Sequence, residues 1–227
     1  VAGRVADRLG LPRGVKIVVG GHDQCCNALG AGITRAGQAV DGMGTYECIT
    51  PVFGAIPDSR RMLATGLNVE HHVVAGRYVS FLFNQAGSLV RWFRDVFATE
   101  QARDPDIYDR LAAEMPAAPT DLFVLPCFEP TGSPGYIGDA SGVLVGLRTA
   151  TRRGEILKAI MESTSFYFIE SLDQLRALGM DTSEFIATGG GARSDAWLQI
   201  KADIYGVPVV RAEFTECGLF GAAILAG

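Results

Sequence analysis

The sequence is short of the residues that build metal centres and disulfide frameworks, with three histidines and five cysteines in 227 residues. The cysteines, at 25, 26, 48, 127 and 217, are odd in number, include one adjacent pair and form no Cys-x-x-Cys spacing, which argues against a zinc site or a disulfide scaffold. Positive charge is not in excess either: 20 Lys and Arg stand against 25 Asp and Glu, a formal net charge of −5, so the electrostatic footprint of a nucleic-acid binder is missing. No apolar stretch reaches the roughly 18 residues that a membrane-spanning helix needs, and no basic-then-apolar leader is expected at the start. Neither Gly-x-x-x-x-Gly-Lys-Ser/Thr nor Gly-x-Gly-x-x-Gly between a strand and a helix occurs, and protein-kinase motifs are missing, which removes the two commonest nucleotide folds and the protein kinases. With hydrophobic residues at 48%, the expectation is a globular, cytoplasmic enzyme of small metabolites with no nucleic-acid or membrane partner.

What the chain has is glycine, in a spaced series of turns that each follow an apolar, strand-like run. They are Gly20-Gly21-His22-Asp23-Gln24, Asp41-Gly42-Met43-Gly44-Thr45, Gly142 through Gly146, and Thr188-Gly189-Gly190-Gly191. Glycine permits positive φ and lets backbone N–H groups approach an anion, and a following helix N-terminus adds partial positive charge. A carboxylate in the first turn and a hydroxyl in the second suggest a site that binds a nucleoside triphosphate and uses it.

The periodicities predict a buried strand at Ile17–Val19 and a small-residue helix over Cys25–Gly32, then antiparallel strands within Gln38–Val52 and Gly66–Phe83 with turns at Pro57-Asp58-Ser59 and Ala75-Gly76-Arg77. Helices are expected over Ala86–Phe97 and Asp106–Met115, a strand over Leu122–Phe128, and a turn-rich loop over Glu129–Gly142. A long helical stripe runs over Gly154–Leu178, a strand over Phe185–Ala187, a serine-capped helix over Ser194–Tyr205, a strand over Val207–Arg211, and a last helix starts near Gly218. No linker or repeat divides this pattern, so one α/β domain is the simplest account. A start at Val1 and an end inside an apolar helical pattern, Gly221 to Ala226, read as a piece of something longer.

Three stretches together resemble the C-terminal domain of the FGGY carbohydrate kinases, and the resemblance covers nearly the whole chain. Gly142-Val-Leu-Val-Gly-Leu147, seven residues, then Glu155-Ile-Leu-Lys-Ala-Ile-Met-Glu162 fits the family's second signature at each constrained position. Gly20-Gly-His-Asp-Gln24 and Thr188-Gly-Gly-Gly-Ala-Arg-Ser-Asp-Ala-Trp197 match two further motifs in order. The resemblance implies a ribonuclease H-like, actin-type ATPase domain, with a mixed sheet flanked by helices, spanning residues 1–227. It is the ATP-binding half of a kinase whose sugar-binding N-terminal domain lies outside this chain, and a homodimer is an open assembly state.

From spacing alone Asp23 reads first as a helix cap. The resemblance makes it instead the catalytic base that takes the proton from a sugar hydroxyl attacking the γ-phosphorus, near a magnesium ion. Gln24 becomes a sugar ligand by the same analogy, and His22 remains structural. Gly44 and Thr45 form an ordinary hairpin turn on the bland reading and a β,γ-phosphate loop on the implied one. Many relatives carry serine after this threonine, where this chain has Tyr46, a departure that reshapes the wall near Glu47 and Cys48. Asp41 reads as a turn former. Gly142 and Gly146 are expected near the phosphates, and Gly190, Gly191, Ser194 and Asp195 around the adenosine. Glu155 and Glu162 read as caps or pairs, and Trp197 and the aromatic stripe from Phe166 to Phe168 as core. The stretch Gly66-Leu-Asn-Val-Glu-His-His72 has the texture of the pentulose kinases, so a ketopentose such as xylulose is the first expectation and glycerol or a deoxy sugar the second.

Overall fold

The structure, a computed structural model, describes all 227 residues. In chain order the elements are α1 (Gly3–Leu9), α2 (Asp23–Gly30), β1 (Gln38–Met43), β2 (Tyr46–Phe53), α3 (Ser59–Thr65), β3 (Glu70–His71), β4 (Tyr78–Val79) and β5 (Leu82–Gln85). Then come α4 (Gly87–Phe97), α5 (Ile107–Ala113), β6 (Phe123–Leu125), β7 (Val143–Val145), α6 (Arg153–Tyr167), α7 (Ile169–Ala177), β8 (Glu184–Thr188), α8 (Asp195–Tyr205), β9 (Val209–Arg211) and α9 (Cys217–Ala226).

The main sheet runs β3-β4-β2-β1-β8-β9, with β5 also pairing β2. It is mixed: β1 and β2 form an antiparallel hairpin in which Met43 faces Glu47, while β8 lies parallel to both β1 and β9. Alternation along β1 and β2 sorts their side chains onto two faces. Val40, Cys48 and Val52 meet Cys25 and Ala28 of α2 on one face, and α9 packs along α2 behind them. On the other face Met43 joins α4, α6 and α8 through Phe93, Ile160 and Trp197. Ala39, Ile49 and Phe185 join α7 and the end of α8 through Leu172, Leu175 and Tyr205. Helices thus cover both faces of the sheet, as expected.

Three sequence expectations are corrected. Ile17–Val19 is not a buried strand: no element pairs with it, and Ile17 and Val19 are 80% and 93% exposed. An apolar run is buried only where a partner surface meets it, and this sheet offers none there. Asp58 does not close a turn but caps α3, its Oδ1 accepting the Arg61 backbone N–H at 2.8 Å, which turns a polar cluster into a helix start. Asp41 is not a turn former either, since it lies inside β1 with no exposed surface.

Candidate nucleotide site

The C-terminal ends of β1 and β8 are where the site forms, the usual place for a ligand in an open α/β sheet. The Gly44-Thr45 turn after β1 is clamped onto the start of α4: the Gly87 N–H donates to the Gly44 carbonyl at 3.2 Å and the Ser88 N–H to the Thr45 carbonyl at 3.0 Å. A Cβ on Gly87 would lie 2.3 Å from that Gly44 oxygen, so only glycine allows the contact. One turn further along α4, Arg91 reaches back and its Nη2 donates to Thr45 Oγ1 at 3.0 Å.

The second wall is the turn after β8. Gly189 has φ +83° and Gly191 has no room for a side chain, because a Cβ there would come within 2.9 Å of Met43 Cβ. Gly190 differs from both, with φ −65° in the helical region and nothing within 4 Å of a built Cβ. Ser194 then caps α8, its Oγ accepting the Trp197 backbone N–H at 3.3 Å.

Between these walls is a cavity of about 500 Å³, within the usual range for a small-molecule site. Met43, Gly44 and Thr45 line it from the hairpin, Gly87, Val90 and Arg91 from α4, and Gly190, Gly191, Arg193, Ser194 and Trp197 from the start of α8. Leu157 and Met161 of α6 give it an apolar flank, and Tyr108 and Asp109 of α5 its far rim. The charged lining is therefore two arginines and one aspartate, suited to a polyanion with an apolar end.

The structure brings Gly44, Thr45, Gly190, Gly191 and Ser194 together in this cavity. It does not bring Gly142 and Gly146 there: neither lines the cavity that holds the other expected phosphate residues. They flank β7 in its ribbon with β6, and a Cβ on Gly142 would fall 2.0 Å from the Phe128 ring. Gly146, at φ +95°, leaves a Cβ only 3.0 Å from the Asp121 carbonyl, so both glycines serve packing and turning. Asp195 is also not a wall of the cavity: its side chain is 91% exposed and pairs with Arg211, which in turn donates to the Ala192 and Arg193 carbonyls. Glu155 accepts the Arg152 backbone N–H at 2.7 Å and Glu162 accepts from the Thr120 hydroxyl at 2.8 Å, structural roles as expected.

Asp23 and Gln24 stand at the start of α2, across the sheet from the cavity but at the same strand ends. A Cβ on Gly42 would lie 3.3 Å from Gln24 Oε1, and Asn27 donates to the Thr188 hydroxyl at 3.0 Å. Asp23 Oδ1 accepts the Gln24 backbone N–H at 2.8 Å and sits 2.9 Å from His22 Nδ1, while 84% of the side chain is open to solvent. His22 is itself fixed by stacking on Phe81 at 4.3 Å between ring centroids. Tyr46 turns away to donate to Glu129 Oε2 at 2.9 Å.

Sequence reasoning missed a buried charged group that joins the hairpin to α8. Lys201 of α8 is fully buried, with its Nζ 2.5 Å from Glu47 Oε1, 3.1 Å from Asp41 Oδ2 and 3.2 Å from the Tyr205 hydroxyl. Burial, and then the neighbouring Asp41, push the Glu47 carboxyl up to about 8. Burial also raises the Asp41 carboxyl, against the pull of Lys201. Burial alone would lower the Lys201 ammonium, but the two carboxyls outweigh it and hold the lysine protonated. The signal was present: Lys201 lies four residues from both Trp197 and Tyr205, on the buried stripe of a helix. Arg91, Tyr108 and Asp109 were missed because nothing in their local sequence marks them, and Arg193, although inside the Thr188–Trp197 motif, was not singled out from it.

Residues 58–227 match the family described as the FGGY family of carbohydrate kinases, C-terminal domain. The chain is 30% identical over 229 residues to a xylulose kinase of Bacillus subtilis, covering 98% of this chain and 44% of that protein. It is 41% identical over 143 residues to a glycerol kinase of Bordetella parapertussis, covering 63% of this chain and 28% of that one. The crystal structure of a xylulose kinase from Rhodospirillum rubrum superposes with a TM-score of 0.80 at 31% identity, over 100% of this chain and 45% of that one. The chain spans about half the length, or less, of the curated relatives it matches, 44% in the Bacillus case.

Proposed function

We propose that this chain, which belongs to the FGGY family of carbohydrate kinases and has their actin-like ATPase fold, forms the nucleotide-binding half of an enzyme that transfers the γ-phosphate of ATP to a hydroxyl of a sugar. The observation that carries this reading is the convergence of the Gly44-Thr45 turn and the Gly189–Ser194 turn on one cavity of about 500 Å³. The cavity fits the nucleotide: Gly190 leaves its backbone open beside the apolar flank of Leu157 and Met161, where a purine would lie, and Ser194 offers a hydroxyl to the ribose. Thr45 and Arg91, hydrogen-bonded to each other in the lining, supply donors for the β- and γ-phosphates. Asp195, exposed and paired with Arg211, would contact the ribose only by leaving that pair.

Asp23 is the proposed base. Its open carboxylate, oriented by the Gln24 N–H, would accept the proton of the attacking hydroxyl, with the Gln24 side chain holding a neighbouring hydroxyl. Asp23 is also the proposed carboxylate beside magnesium, although the chain holds no group of three or more potential ligands. Bound magnesium would offset charge on the phosphate oxygens, held mostly by those oxygens and water, as this cation prefers. Further sugar and metal contacts, and water exclusion by closure, are assigned to the part of the protein outside this chain, by analogy with relatives more than twice its length. Five buried, free cysteines suit a reducing, cytoplasmic setting.

Xylulose is the first-choice acceptor, because the Bacillus xylulose kinase aligns over 98% of the chain. Glycerol is the second, on the 41% identity to the Bordetella enzyme over a shorter stretch. A coupled ADP-release assay on the whole protein, with a panel of ketopentoses, hexoses and glycerol, tests both. Turnover with xylulose above all other acceptors is expected, and none is expected from the 227-residue chain alone. Equal ADP release with and without every acceptor would contradict the kinase reading.

A further inference from the structure

Two carboxyls and one ammonium, all without exposed surface, sit between the apolar clusters on the α8 face of the sheet. Each belongs to a different element. Asp41 is on β1, two residues before Met43 and the Gly44-Thr45 turn; Glu47 is on β2, two residues after it; and Lys201 is on α8, one helical turn beyond Trp197. The cluster therefore ties both legs of the phosphate hairpin to the helix whose start forms the other cavity wall.

Its charges do not balance if all three groups ionise. Two carboxylates against one ammonium would leave a buried negative charge, which a protein interior tolerates poorly. The hydrogen-bond inventory points the same way: Glu47 Oε2 and both Asp41 oxygens lack an aligned donor, although Asp41 Oδ2 is within ion-pair distance of Lys201. A proton on Glu47 turns one of these acceptors into a donor toward Asp41 and leaves one ammonium facing one carboxylate. The other titratable groups facing the cluster do not alter this count. The Tyr205 phenol is raised by burial, and the Cys48 thiol, also raised by burial, is pushed up to about 12, so both stay neutral.

We propose that Lys201, Asp41 and a protonated Glu47 are positioning residues that hold the Gly44-Thr45 turn at its working distance from the start of α8, and that loss of the Glu47 proton loosens this hold and weakens nucleotide binding. None of the three touches the cavity, so their effect is exerted through the hairpin and the helix. The inference rests on the reading of the cavity as a nucleotide site.

The test is the affinity of the whole protein for ADP, by calorimetry between pH 6.5 and about 9.5, beside circular dichroism to confirm folding. Wild type is expected to lose about tenfold in affinity as the pH passes about 8, whereas Glu47→Gln, which mimics the neutral carboxyl, keeps near-wild-type affinity and shows no such loss. The ratio of the two proteins cancels the titration of ADP's own phosphate. Glu47→Ala is expected to bind about tenfold more weakly at every pH, and the paired change Lys201→Met with Asp41→Asn to fold better than Lys201→Met alone, because it removes opposite charges together. A Glu47→Gln protein that loses as much affinity as Glu47→Ala, or a wild-type profile that matches Glu47→Gln, would overturn the positioning role while leaving the nucleotide site standing. Absence of ADP binding by folded wild type at any pH would overturn both.

Discussion

The turn at Gly189–Gly191 and the segment Gly142–Gly146 look alike in sequence, each a glycine-bearing turn beside a short apolar strand, yet they do different work. In the first, Gly189 and Gly191 press the turn against Met43 so that Gly190 faces open space in the cavity wall. In the second, Gly142 admits the Phe128 ring, and the strand between the glycines forms a ribbon away from the cavity, with Phe123 78% exposed opposite Val145. Glycine spacing reports that something approaches the backbone closely. Only the fold reports whether that something is a ligand or a side chain of the same chain.

The largest expected effect comes from the first of the glycine-bearing turns, which carries the proposed catalytic base. Asp23→Ala in the whole protein is expected to slow phosphoryl transfer by about 10²- to 10⁴-fold with ADP affinity nearly unchanged, the pattern of a lost general base. Single-turnover kinetics with calorimetry checks it; near-normal turnover would remove Asp23 from the mechanism.

The comparison itself is tested by paired valines. Gly190→Val keeps an allowed backbone but projects into the cavity, and ADP affinity is expected to fall by about 10- to 100-fold with the melting temperature little changed. Gly142→Val is expected to do the reverse, leaving ADP affinity intact and destabilising the fold by about 1–3 kcal/mol through its clash with Phe128. A swap of these outcomes would show that the two turns have been assigned the wrong way round.

Arg91 gives a smaller effect. Removing its guanidinium from beside Thr45 in Arg91→Ala is expected to weaken ATP and ADP about tenfold, as loss of one charge-assisted hydrogen bond does, and to leave adenosine unaffected. Calorimetry with the three ligands separates a phosphate contact from a general disturbance of the pocket.

A last effect is on stability. The Glu47 carboxyl titrates at about 8 in the fold, above the 4.5 of an ordinary glutamate, so the native state holds more protons than the unfolded chain between those values. Its contribution is complete below about pH 4.5 and is lost as the pH rises through about 8. Thermal denaturation from pH 5.5 to 9 is expected to give a falling melting temperature for wild type and a flatter profile for Glu47→Gln.

The sequence made the helices with strong periodicity legible, because their apolar stripes face the sheet: α4 and α8 lie close to their expected bounds, while the single stripe expected over 154–178 is broken at Phe168 into α6 and α7. It misplaced Ile17–Val19, since a short β-branched apolar run announces a strand without saying whether a partner is present. It read Pro57-Asp58-Ser59 as a turn because a helix cap and a turn use the same residues. At the site, the motifs led to Gly44, Thr45, Gly190, Gly191 and Ser194. Arg91 stayed hidden because its role depends on α4 docking against a turn 46 residues away in sequence. The Lys201 cluster was obscured for the same reason, as its partners lie on two other elements.

The most direct test of the central claim is a crystal structure of the chain with ADP bound. The account predicts the purine against Gly190 and Ser194, with the diphosphate within hydrogen-bond distance of Thr45 and Arg91. ADP held at the Gly142–Gly146 ribbon, or anywhere outside the cavity between the two turns, would contradict it.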